Sequence, residues 1–201
     1  MSHKEHAWVR LSGIMGIIAP IVAFTCILFS IAYPPFSWTD NALSDLGVKE
    51  GIVAPLFNGG LVISGILAMI FAAGLLKLLD ENIIGKIGVL VFALAALALI
   101  TVGVFPENAE PMHYFASVSF FAFFLIAMLV IASSSLYAKS VRIGLFTLIV
   151  AIIAAAPWAI EFSVRFVPGV AIPEAISAVA ASVWCVALGI TMLSKTSQSH
   201  S

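Results

Sequence analysis

Six apolar runs, each long enough to cross a bilayer, dominate this chain, and almost every charge falls between them or at their edges. A hydrocarbon core of about 30 Å takes about 20 residues at helical rise, and a backbone in lipid must satisfy its own amides. Such runs therefore read as spanning helices, at roughly 9–33, 54–79, 87–105, 113–137, 142–165 and 173–194. The expected fold is all-α: a polytopic bundle of six transmembrane helices in a single membrane domain over 1–201. With 62% hydrophobic and 9% charged residues, the chain lies far outside the range of soluble domains. A net charge of −1 leaves no basic stripe to neutralise phosphates, so a nucleic-acid partner is excluded.

Cations set the orientation. Lys4, Arg10, Lys77, Lys86, Lys139, Arg142 and Lys195 fall on one side, against Lys49 and Arg165 on the other. Both termini are expected in the cytoplasm, in a multi-pass protein of the cell membrane. The basic start before an apolar stretch resembles a signal peptide, but the stretch is too long and lacks a small-x-small site, so it is expected to stay as a first helix. Acids distribute the other way. Asp40, Asp45, Glu50, Glu107, Glu110, Glu161 and Glu174 lie outside or at the outer rim, and Glu5, Asp80 and Glu81 inside. This gives the outer mouth a negative field able to attract a cation or a positively charged headgroup, or else is ordinary solvated loop charge. No charge lies near mid-depth, where ion-coupled carriers place their sites.

The longest connection, PPFSWTDNALSDLGVKEGIV at 34–53, carries the most polar chemistry. Pro34 and Pro35 end the first helix. Thr39, Asp40 or Asn41 is expected to cap a short interfacial helix that Gly47 ends as a left-handed residue, with Phe36, Trp38, Leu43 and Leu46 in the interface. That helix either rests on the outer leaflet or lids the bundle and turns Asp45 inward. In FNGGL, Asn58 needs a hydrogen-bond partner, while Gly59 and Gly60 permit close helix approach. His113, the one histidine outside the chain ends, has Glu107 and Glu110 close in sequence. It is either a polar interface residue or half of a His–carboxylate site. On the fifth run Trp158, Glu161 and Arg165 share a face. Glu161 and Arg165 either neutralise each other or, with Glu161 turned inward, supply a partner for His113 or a cation. Pro157 is expected to free a backbone carbonyl one turn earlier.

Other features read as packing. Cys26 and Cys185 act as small hydrophobes rather than a disulfide. Ser177, Ala181, Cys185 and Gly189, and likewise Ser12 and Gly16, form small-residue stripes that allow close packing, including a homo-oligomer through those faces. Phe115, Phe120, Phe121, Phe123 and Phe124 crowd the fourth run and line either lipid or an apolar pocket. Proline with an acid at Glu110-Pro111 and Pro173-Glu174 reads as helix punctuation.

NALSDLG, followed by FNGGL and FPEN…HYFAS, resembles an uncharacterised family of six-span membrane proteins, domain of unknown function 998, over nearly the whole chain. The resemblance implies recurring residues at Asp45, Asn58, Pro106 and His113 and carries no activity with it. A three-histidine zinc site of the alkaline ceramidase and adiponectin receptor type cannot be built, since His113 alone is available. No cofactor is expected, and a metal only weakly, at His113 with Asp45 or Glu161.

The leading expectation is a pocket open to the outer leaflet that holds a lipid-like amphiphile, with membrane lipids as partners. Asp45, Asn58, His113, Glu161, Trp38 and Arg165 are its candidate binding residues. The alternative is an enzyme acting on a lipid headgroup, with His113 as general base and Asp45 or Glu161 as catalytic partner. A facilitator or a helix-packing scaffold is the further alternative.

Overall fold

A computed structural model describes residues 3–33, 35–79 and 82–198. Pro34, Asp80 and Glu81, read above as a helix stop and inner acids, lie outside the described residues. Six helices form: α1 His3–Ala32, α2 Val53–Leu78, α3 Ile83–Val104, α4 Met112–Tyr137, α5 Val141–Val164 and α6 Ala171–Gln198. All six are long and apolar enough to cross a membrane. Large side chains stand outward along them: Ile149, Ile152 and Ile153 of α5 are 54%, 59% and 48% exposed. Water would penalise such a belt and hydrocarbon does not. The chain is a multi-pass membrane protein.

Helix limits move where capping overrides hydropathy. α3 begins at Ile83, earlier than hydropathy places it, because the Asn82 side chain accepts from the Gly85 amide at 2.8 Å. The same Asn82 oxygen accepts from the Ser134 hydroxyl, also at 2.8 Å, tying α3 to α4. α5 runs through Pro157. Proline removes the amide that would serve Ile153, and the next carbonyl along, Ala154, accepts from the Ser177 hydroxyl of α6 at 2.8 Å. Trp158 Nε1 donates to the same hydroxyl at 3.0 Å.

Each helix runs antiparallel to its neighbour in sequence, and α6 closes onto α1, so the six form a ring. Small residues set the close crossings. A Cβ on Gly189 would stand 2.6 Å from the Gly13 carbonyl, and one on Gly13 2.9 Å from the Gly189 carbonyl. Gly16 faces the Phe71 ring and Gly74 faces Ser12. The stripes expected on α1 and α6 are thus used inside the bundle. Ser177 bonds α5, Ala181 and Cys185 face the interior, and Gly189 meets α1. The centre holds three interlocked rings: Phe71–Trp184 and Phe71–Phe92 have centroids 6.0 Å apart and Phe92–Trp184 5.2 Å. Trp184 Nε1 donates to Thr147 at 3.0 Å, so this wholly buried indole has no unpaired donor.

At the end of the ring away from the chain termini, the 35–52 connection folds over the helices. Its helix is a single 3-10 stretch, Ser44–Val48. Gly47 lies within it, and the left-handed glycine is Gly51, at φ +69°. The expected Thr39–Asn41 cap and Gly47 stop are not used, for a packing reason. A Cβ on Gly47 would sit 2.6 Å from Asn58 Oδ1, so this glycine serves the close approach of loop to α2. The α5–α6 connection braces the loop from the other side: the Gly169 amide donates to Thr39 O at 2.7 Å and Ala171 to Asn41 O at 2.9 Å. Leu43 and Leu46 are buried beneath, in a cluster with Ile27, Phe57, Leu61 and Val102.

Candidate functional site

Directly under this cap lies a half-enclosed cavity of about 130 Å³. α1, α2, α3, α4 and α6 wall it, with Phe24, Leu61, Phe92, Leu99 and Phe124 among its apolar surfaces and Phe92 joining it to the aromatic cluster. Of the aromatics that crowd α4, Phe120, Phe121 and Phe124 face it and Phe115 is exposed. An apolar cavity of about 150 Å³ stays dry and takes up a molecule the size of benzene. This one fits a segment of a hydrocarbon chain.

Polar groups reach the cavity chiefly from the capped end. Ser44 comes from the loop, Ser117 from α4 and Glu174 from the first turn of α6, while Ser64 and Ser182 stand lower. Glu174 Oε2 accepts from the Leu43 amide at 2.6 Å. Among the described residues Oε1 has no partner. Protein surrounds the carboxyl, yet the residue keeps accessible surface and borders the cavity. Glu174 thus brings a carboxyl to the edge of that space.

Two more carboxyls stand behind it. Glu107, in the α3–α4 connection, and Asp45, in the loop helix, both act electrostatically on Glu174. Asp45 Oδ2 accepts from Asn41 Nδ2 at 2.6 Å and from the Ala42 amide at 3.1 Å, fixing the start of the loop helix. Burial, a hydrogen bond shared with Asp45 and the charges of Asp45 and Glu110 push the Glu107 carboxyl up to about 7, against a partial counter-effect from Lys49. Asp40 faces solvent, and hydroxyl hydrogen bonds from Ser37 and Thr39 hold it below the ordinary carboxylate value.

The residues singled out from sequence mostly build the cap. None of Asp45, Asn58, His113, Glu161, Trp38 and Arg165 borders the cavity. Asn58 Nδ2 donates to Gly47 O at 2.9 Å, while its buried Oδ1 has no partner. His113 is buried, with Nδ1 2.8 Å from Phe105 O and Nε2 3.2 Å from Ser117 Oγ. A carbonyl only accepts, so Nδ1 carries a proton, and Nε2 pairs with the Ser117 hydroxyl. Both nitrogens are thus engaged away from Glu107 and Glu110. Trp38 packs edge-on against Phe36. Glu161 is buried with Oε2 unpartnered, Arg165 is exposed in a left-handed conformation, and no ion pair joins them among the described residues. No group of three or more His, Cys, Asp or Glu side chains is placed to hold a metal, again among the described residues.

Glu174 and Ser117, both at the capped end of the cavity, escaped the sequence reading as site residues. Glu174 looked like helix punctuation, and its partner Leu43 is 131 positions away. Ser117 had a signal, the four-residue spacing from His113 in HYFAS, which puts the two side chains on one face of a helix.

A family model described as a protein of unknown function, DUF998, matches residues 17–191. The chain belongs to the DUF998 family. That match takes in every wall of the cavity, the whole cap and the aromatic cluster. Asp45, Asn58, Pro106 and His113, the positions singled out by the resemblance, all lie at the capped end of this DUF998 bundle. No match is found among curated proteins, nor among solved structures.

Proposed function

We propose that this DUF998 protein binds a lipid-like amphiphile, its tail in the cavity and its head at the capped end, toward the outer leaflet. The observation that carries the reading is a carboxyl, that of Glu174, at the edge of an apolar space. Pockets for amphiphiles need that combination of apolar walls and a few convergent polar groups. Ser44 and Ser117 supply hydroxyls beside Glu174, and His113 holds the Ser117 hydroxyl. Asp45 and Asn58 support the head indirectly, by setting the loop helix that brings Leu43 and Ser44 over the cavity. The Phe71–Phe92–Trp184 cluster fills the interior beyond the pocket, which favours a binding site over a through-path.

Ala181 lines the cavity, and Ala181→Phe would fill it. Native mass spectrometry of gently extracted protein should detect a retained amphiphile on the wild type and its loss in Ala181→Phe, with both eluting as folded protein. Equal retention in the two would contradict the reading.

A second reading, hydrolysis of a lipid ester, is favoured by one observation: His113 Nε2 stands 3.2 Å from the cavity-lining Ser117 hydroxyl. A nucleophile beside a base is the minimum such chemistry requires. Labelling of Ser117 by a fluorophosphonate, abolished in His113→Ala, would place this reading first.

A further inference from the structure

We infer that the head recognised in this cavity is an amine: the occupant is a single-chain amphiphile ending in a protonated amino group. The inference rests on the binding reading above and adds the sign and chemistry of the head. Every charged group turned on the head position is acidic. Glu174 borders the cavity with one oxygen unpaired, and Glu107 and Asp45 add their fields behind it. Lys49 acts on Glu107 but does not line the cavity, and no cation acts on Glu174. The other polar lining groups at this level, the Ser44 and Ser117 hydroxyls, can accept as well as donate. An ammonium brings three donors, matching an unpaired carboxylate oxygen and two hydroxyls.

The same arrangement rejects other heads. A carboxylate or phosphate placed there finds acidic side chains and no cation lining the cavity, so it gains no charge pairing. A zwitterionic phospholipid carries its phosphate beside its amine, so the repulsion accompanies the attraction. A neutral alcohol gains hydrogen bonds alone. The cavity volume of about 130 Å³ also suits part of one chain rather than two.

The test is a head-group series at constant tail. Dodecylamine, dodecanol and dodecanoate are titrated at pH 7 onto wild-type protein in an uncharged detergent, and bound copies are counted by native mass spectrometry. Lysophosphatidylethanolamine serves as the zwitterionic competitor. The expected result is dodecylamine binding at least about tenfold tighter than dodecanol, as a charge-assisted hydrogen bond provides, with dodecanoate weakest. Lysophosphatidylethanolamine should fail to displace the amine. In Glu174→Gln the amine-to-alcohol ratio should fall close to one. Should that variant not fold, the wild-type series decides alone. Equal affinities, an anionic preference or ready displacement by the phospholipid would overturn the amine assignment while leaving a pocket in place. Absence of binding by every probe would overturn the binding reading as well.

Discussion

Glu107 shows how one side chain at the cap responds to its neighbours. Its carboxyl is held up at about 7, against 4.5 ordinarily, first by burial and then by Asp45 and Glu110. A carboxyl raised in the folded protein favours the neutral form. Its contribution to stability is therefore complete below about pH 4.5 and is lost as the pH rises through about 7. Melting followed by tryptophan fluorescence should give a higher midpoint at pH 5 than at pH 8, and Glu107→Gln should flatten that dependence. An unchanged pH profile in the variant would remove Glu107 from the account. From sequence these acids were expected at one end of the bundle, without any means to pair Glu107 with Asp45 or Glu174 with the Leu43 amide. Those pairings depend on how three separate connections fold over the same end. The histidine was legible as a polar group needing partners. Which partners it takes, Phe105 and Ser117, follows from helix register.

Between helices, adjacent glycines in FNGGL have opposite surroundings. A Cβ on Gly60 would collide with Cys26 of α1, whereas one on Gly59 meets nothing within 4 Å. Gly59→Ala should be neutral or slightly stabilising, since alanine is the better helix former by about 0.5–1 kcal/mol. Gly60→Ala should cost about 1–3 kcal/mol through overpacking of α1 against α2. Thermal unfolding of the two variants in the same detergent checks the contrast, and equal midpoints would contradict this account of the α1–α2 crossing. From sequence the two glycines looked equivalent, because hydropathy marks a span without its rotation about its own axis. The spans were legible for the converse reason: length and apolarity are enough to define them. Helix starts were less so where one side chain decides, as Asn82 does for α3.

Across the whole molecule, closing the ring from α6 to α1 creates the interior and caps it at one end. Six spans alone do not imply that. The cavity needs small residues on opposite walls, Ala95, Ala96, Ala178 and Ala181, facing the larger Phe92, Phe120 and Phe124. It also needs the 35–52 connection to fold inward over them, braced by Gly169 and Ala171. The cap lies at the end of the bundle away from the termini, the end to which the sequence assigned Asp45, Glu107 and Glu174, whereas the contact of Glu174 with Leu43 was not legible. The most direct measurement of the central claim is photoaffinity mapping with a diazirine-bearing long-chain alkylamine, with and without excess dodecylamine. The account predicts competed adducts on cavity-lining residues of α2, α4 and α6, such as Phe57, Phe120 and Ala178, with little on the outward belt at Ile149, Ile152 and Ile153. Adducts spread over that belt and undiminished by competitor would contradict it.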